Sequence, residues 1–130
     1  MILLDTQVVL WLMSDRKRLS GSAVEVIREA REGTSGIAIA SSTLWEMAMA
    51  LTRGRVALRG SLAEYLGKVE ESFTVLPITG AIAARSMLFS AQYPRDPADR
   101  IIGATAVVHG LRLVTADAGI RSSGEVDCVW

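Results

Sequence analysis

Four acidic residues stand where a parallel α/β chain gathers its chemistry. Asp5 follows the apolar run Ile2-Leu3-Leu4, and Asp117 follows Leu113-Val114-Thr115. Glu46 falls in the first turn of the helix expected after the apolar run 37–40, and Asp99 opens a strongly apolar helical segment. In parallel sheets, ligands bind beyond the carboxyl ends of the strands, so this placement predicts four carboxylates on one rim. Hard divalent cations take oxygen ligands, and Mg²⁺ typically uses a few carboxylates plus water and substrate phosphate. One or two such ions activate a water and stabilise in-line displacement at phosphorus. Without a cation, the same acids repel one another and any nucleic-acid backbone.

Each acid also has a plainer reading. Asp5 fits a helix cap. Glu46 stands three residues after Thr43, the spacing of a capping box. In Asp96-Pro97-Ala98-Asp99, Asp96 fits the cap, Pro97 the first helical position, and Asp99 a favourable partner of the helix dipole. Asp117, in Thr-Ala-Asp-Ala-Gly, fits a turn. The force of the pattern lies in the four occurring together.

The elements that must position these acids alternate along the chain. Residues 1–4 read as a buried strand, 6–13 as a short helix, and 15–18 as a charged turn. Ser20 caps the next helix, with Ala23, Val26, Ile27 and Ala30 at helical spacing. Residues 37–40 predict a second strand, followed by a helix with Leu44, Met47, Ala48 and Leu51 on one face. Ser61 and Glu64 form a capping-box pair at the start of a helix over 61–71. A third strand is expected over 73–78 and a helix over 79–90. The segment from Pro97 to Val108 is apolar almost all round, which predicts a buried helix, with Gly110 as its C-terminal cap. Residues 112–115 predict a fourth strand and 126–130 a fifth. This alternation predicts a single α/β domain over 1–130: a three-layer α/β/α sandwich on a mostly parallel sheet of four or five strands.

Bulk properties narrow the class. The chain has 130 residues, half of them hydrophobic, enough for a sizeable core. Its formal charge is zero, from 14 basic and 14 acidic residues, so any nucleic-acid contact must come from a local basic patch rather than a net field. Cys128 is the sole cysteine, which excludes an intramolecular disulfide and fits a reducing cytoplasm. Asp5 interrupts the N-terminal apolar run, so no signal peptide is expected. No run reaches about 18 apolar residues, so no membrane association is expected.

The motifs also carry a family resemblance. Leu3-Leu4-Asp5-Thr6-Gln7, Ser42-Thr43-Leu44-Trp45-Glu46-Met47-Ala48, the stretch from Arg95 to Ala106, and the stretch from Gly110 to Asp117 resemble, in order, the motifs of PIN-domain toxins of the VapC type. The segment 76–79 and the terminal Val129-Trp130 fit one VapC subgroup, and the likeness spans essentially the whole chain. Each motif is short, but the ordered set is specific. The resemblance implies a PIN-like fold and a Mg²⁺- or Mn²⁺-dependent endoribonuclease, the toxin of a type II toxin–antitoxin pair. It implies Asp5, Glu46 and Asp99 as metal ligands, with Asp117 completing the site directly or through water. Thr115 would orient an acid or a water, and Thr6 likewise; Asp96, by its own place before Pro97, reads as the cap that positions Asp99. The implied partners are RNA, a VapB-like antitoxin covering the cleft, and a second copy in a homodimer. Three positions depart from the subgroup: Gln7 where His is frequent, Ala98 where a bulky aromatic is common, and Tyr93-Pro94 where a His often precedes Arg95. None removes an acid.

Other assignments fit less well. A non-catalytic PIN-like module that binds RNA or a partner is the alternative, and the intact acids argue against it. A phosphatase of the haloacid dehalogenase type needs a second Asp two residues after the first, where Gln7 stands. A response-regulator receiver needs an early acidic pair, also missing. Arg53, Arg55 and Arg95 are candidates for RNA phosphates, and a solvated rim explains them equally well. Arg100, beside Asp99, is assigned to the site. His109 sits at a helix C-terminus and serves the dipole. Cys128 reads as packing, and Trp11, Trp45 and Trp130 as core or dimer surface rather than base-stacking platforms.

Overall fold

The computed structural model describes residues 1–54 and 56–130. Arg55, one of the three candidate RNA-binding arginines, lies outside the described residues. Five short strands form the sheet: β1 (Ile2–Leu4), β2 (Ile37–Ala40), β3 (Thr74–Leu76), β4 (Arg112–Val114) and β5 (Cys128–Val129). Their order is β3-β2-β1-β4-β5 and every pairing is parallel, so the mostly parallel sheet expected is wholly parallel. Among the described residues, seven α-helices connect and flank the strands: α1 (Thr6–Ser14), α2 (Gly21–Glu32), α3 (Ser41–Thr52), α4 (Leu62–Ser72), α5 (Gly80–Ser86), α6 (Pro97–His109) and α7 (Ala118–Ser123).

Strand side chains alternate between faces, and the two faces bury different partners. Ile2, Leu4, Ile37, Ile39 and Val114 pack with Val8, Val9, Ile27, Met47, Val69 and Phe73, the core shared by α1 to α4. Leu3, Ala38, Ala40 and Leu113 pack with Ile82, Phe89, Tyr93, Ile102, Ala104, Ala106 and Ile120, the core beneath α5 to α7. Small residues on both sides of this second core let α6 approach the sheet closely. The result is the three-layer arrangement.

Several elements differ from their expected bounds. The third strand covers Thr74–Leu76, not 73–78, because Pro77 cannot donate to the ladder. The helix expected over 79–90 covers only Gly80–Ser86, capped by Thr79, whose hydroxyl accepts from Ile82 N–H. Beyond it, Glu125 accepts hydrogen bonds from the backbone and hydroxyl of Ser90, which hold this stretch as a loop. Helix α7 is not among the elements expected from the sequence. Asp117 caps it, its Oδ1 accepting from Ile120 N–H at 2.9 Å. Helix α6 is buried along its middle, but Val107 and Val108 are 37% and 41% exposed, so it is not buried all round. Gly110 ends it in the left-handed region, at φ 63°, as expected of a glycine cap.

Candidate metal centre

The strand order reverses at β1, whose two neighbours are β2 and β4. That switch point opens a crevice beyond the strand carboxyl ends. Asp5 is the first residue after β1. Its N–H donates to the Val114 carbonyl at 3.0 Å, which keeps it in line with the end of β4. Asp117 sits three residues past Val114, at the start of α7. Glu46 comes from α3, which begins directly after β2. Helix α6 leads through Gly110 into the start of β4, so its other end, carrying Asp99, lies at the opposite, carboxyl edge. The four acids therefore line one cleft of about 360 Å³, together with Thr6, Gln7, Leu10, Met49, Ala50, Arg53 and Ala116.

Two hydroxyl networks hold Asp5, Glu46 and the backbone of Asp117. Thr115, fully buried, donates from Oγ1 to Asp5 Oδ2 at 2.6 Å and accepts from Asp117 N–H at 3.1 Å. Thr6 donates from Oγ1 to Glu46 Oε1 at 2.6 Å, and its oxygen lies 3.0 Å from Thr43 Oγ1. One hydroxyl carries one proton. With Thr6 donating to Glu46, Thr43 must donate to Thr6, so the chain runs from Thr43 through Thr6 to the carboxylate. The capping-box reading of Thr43 and Glu46 fails. Helix α3 starts at Ser41, without a side-chain cap at Ala40, which puts Glu46 in the second turn rather than the first and leaves Thr43 buried. Asp5 occupies the cap position of α1 but makes no side-chain cap bond. Thr43 is the site residue the sequence reading missed; its only signal was its position one turn before Glu46.

Electrostatics mark the cleft as anionic and crowded. Burial raises the Asp5 carboxyl above its ordinary value, although hydrogen bonds from Thr115 and the Thr6 backbone act the other way. Burial also raises Glu46, with further upward pressure from Asp5 and Asp96. Asp99 rises to about 7, through burial first and then through Asp5, Asp96, Asp117 and Glu46. Among the described residues, the ion pairs join Arg28 to Glu25 and Glu32, and Arg112 to Asp127; none neutralises these four acids.

The remaining candidates are placed unevenly. Arg53 lines the cleft. Arg95 is exposed and is not among the lining residues. Arg100 directs Nη1 at the Ser86 carbonyl, 3.4 Å away, towards α5 rather than into the cleft. Asp96 caps α6 by accepting from Ala98 N–H at 2.8 Å. His109 is the exposed last residue of α6. Trp11 packs against Trp130 at 5.8 Å between ring centroids, while Trp45 is 63% exposed. Cys128 is half-buried in β5 and its thiol is pushed up to about 11, mainly by burial. No helix among the described residues is long and apolar enough to cross a membrane.

The PIN-domain family model matches residues 2–125. The chain belongs to the PIN-domain family. This PIN domain is 36% identical over 121 residues to "Ribonuclease VapC22" of Mycobacterium tuberculosis, covering 93% of this chain and 90% of that protein. Its fold is similar to a toxin–antitoxin complex from Klebsiella pneumoniae, with TM-score 0.72, 23% identity, and coverage of 100% of this chain and 97% of that one. It is also similar to VapBC2 from Rickettsia felis bound to a promoter DNA fragment, with TM-score 0.73, 14% identity, and coverage of 99% and 98%.

The donor set of this PIN domain fits a hard divalent cation. It consists of carboxylate oxygens without basic partners among the described residues, and burial raises the carboxyls of Asp5, Glu46 and Asp99. Among the described residues, no group of three or more His, Cys, Asp or Glu side chains is arranged to ligate a single ion directly. That suits an ion keeping much of its water, because Mg²⁺ is typically bound through one or two carboxylates plus water and substrate phosphate.

Proposed function

We propose that this PIN domain is a metal-dependent endoribonuclease, the toxin of a type II toxin–antitoxin pair, hydrolysing RNA phosphodiester bonds. The observation that carries the reading is the convergence of Asp5, Glu46, Asp99 and Asp117 in one cleft, in a chain 36% identical to a protein named as a ribonuclease.

Asp5, Asp99 and Glu46 would hold a Mg²⁺ or Mn²⁺ ion, one or two of them directly and the rest through water, with Asp117 completing the set directly or through water. When bound, the ion neutralises the acids, polarises the phosphate and makes a water a competent nucleophile. Thr115 fixes Asp5 and the backbone of Asp117 together, so two acids from different strand ends keep one spacing. Thr6, backed by Thr43, keeps Glu46 Oε1 an acceptor and limits its rotation. Arg53, which lines the cleft, would pair with an RNA phosphate. The cytoplasm, a second copy of the chain and a VapB-like antitoxin over the cleft complete the proposal. Solved relatives with this fold include toxin–antitoxin complexes, which supports the partner.

The test is cleavage of RNA by purified protein with Mg²⁺ or Mn²⁺, its arrest by chelator, and its loss in Asp5→Asn and Asp99→Asn proteins that keep the wild-type circular dichroism spectrum. Full cleavage by either variant with metal present sinks the assignment. Absence of cleavage on any structured RNA leaves the binding-module alternative in its place.

A further inference from the structure

Tyr93 belongs to none of the networks above, yet it reaches the site through the backbone. It lies in the loop before α6 and is 1% exposed. Its ring stacks on Phe89 with centroids 3.9 Å apart and planes 12° apart, and the Arg85 guanidinium covers the Phe89 ring at 4.3 Å. Tyr93 Oη donates to the main-chain carbonyl of Asp99 at 2.7 Å.

Asp99 is the third residue of α6. Its carbonyl is the acceptor that an α-helix assigns to the N–H of residue 103, so the phenol must come in beside that bond. It does so through the space that a side chain at 103 would fill. A Cβ there would lie 2.8 Å from Tyr93 Cζ, nearer still to its hydroxyl, and 3.1 Å from Phe89 Cζ. Gly103 is therefore what admits the phenol.

The first turn of α6 needs this anchor for an electrostatic reason. The Asp99 carboxylate faces repulsion from Asp5, Asp96, Asp117 and Glu46. A fraying turn would relieve that repulsion by swinging Asp99 out to water. Asp96 ties the turn at its start through Ala98 N–H, and Tyr93 ties it at Asp99 itself.

Building on the metal-nuclease reading, we infer that Tyr93, admitted by Gly103, is a positioning residue that holds the Asp99 carboxylate in the cleft for the divalent ion. Tyr93→Phe keeps the stacked ring and removes one donor. The matched control is Thr105→Val. Thr105 is also buried on α6 and also donates to a helix carbonyl, that of Ile101 at 2.7 Å, but it does not touch Asp99.

The experiment measures Mn²⁺ affinity by calorimetry, melting temperature, and kcat and KM on an RNA that the wild type cleaves. Outer partners of metal ligands typically contribute 10- to 100-fold to metal affinity or activity. Tyr93→Phe should weaken Mn²⁺ about tenfold and lower kcat with KM little changed. Thr105→Val should bind Mn²⁺ as the wild type does, whatever melting temperature it loses. Placing 4-aminophenylalanine at 93, which restores a donor, should recover the affinity. Mn²⁺ affinity in Tyr93→Phe within twofold of wild type overturns the inference alone. So does a weakening shared by Thr105→Val. Wild-type protein that neither binds Mn²⁺ nor cleaves RNA overturns the metal-nuclease reading and this inference with it.

Discussion

At the scale of single residues, the cleft works by holding negative charges closer together than water would leave them. Asp99 shows the consequence. Its carboxyl titrates at about 7 in the folded chain, against 3.8 ordinarily, because it is partly buried among Asp5, Asp96, Asp117 and Glu46. The raised folded pKa means that the folded state binds the extra proton. Stability from this group is therefore full below about pH 4 and is lost as pH rises through about 7. In chelator, the melting temperature should fall across that window, and Asp99→Asn should flatten the fall. Mn²⁺ requires ionised ligands, so its stabilisation of the wild type should grow from pH 5.5 to 7.5. Differential scanning calorimetry at several pH values reads both effects. A metal-induced shift that shrinks with rising pH contradicts the carboxylate site.

At the scale of elements, helix ends do most of the positioning. Helix α6 begins with Asp96 as cap and Pro97 at its first position, which sets where the third residue, Asp99, points. Asp96→Ala should cost about 1 kcal/mol and lower cleavage more than that loss explains, while Asp96→Ser, which keeps a capping oxygen, should retain most of both. Urea denaturation alongside cleavage rates separates the two effects. Equal activity in Asp96→Ala and wild type would show that the cap does not govern Asp99. Helix α7 follows the same logic, since Asp117 both caps it and lines the cleft. Its turn reading from sequence was incomplete because a six-residue helix has too few periods to register as a pattern.

At the scale of the whole molecule, the two faces of the sheet are packed to different depths. Beneath α6 the strands present Ala38 and Ala40, against Ala104 and Ala106, where the other face presents Ile37 and Ile39. This thin layer brings α6, and with it Asp99, close to the strand ends that carry Asp5. Ala38→Leu should therefore lift α6, at a stability loss of roughly 1–3 kcal/mol, and lower cleavage by separating Asp99 from Asp5. Chemical denaturation and RNA cleavage test it together. An overpacked but fully active variant would show that the site does not depend on this spacing.

The sequence alone determined a good deal. Alternating apolar runs and helical periods are local signals, so the strand–helix order and the parallel sheet were legible, down to the caps at Ser20, Ser61, Asp96 and Gly110. The four acids were legible because Asp5 and Asp117 stand just beyond strands, Asp99 at a helix start and Glu46 within the helix that directly follows β2, and because their motifs occur in one order. Tertiary structure decided what depends on distant partners. Thr43 looked like a cap and proved to be the buried end of a hydroxyl chain through Thr6 to Glu46, a bond spanning 40 residues. Arg100 looked like a site residue beside Asp99 and turns instead to Ser86. Tyr93 and Gly103 meet only because the loop before α6 folds back over that helix. Periodicity reports which face a residue takes, whereas the partner it meets there is set by how the layers close.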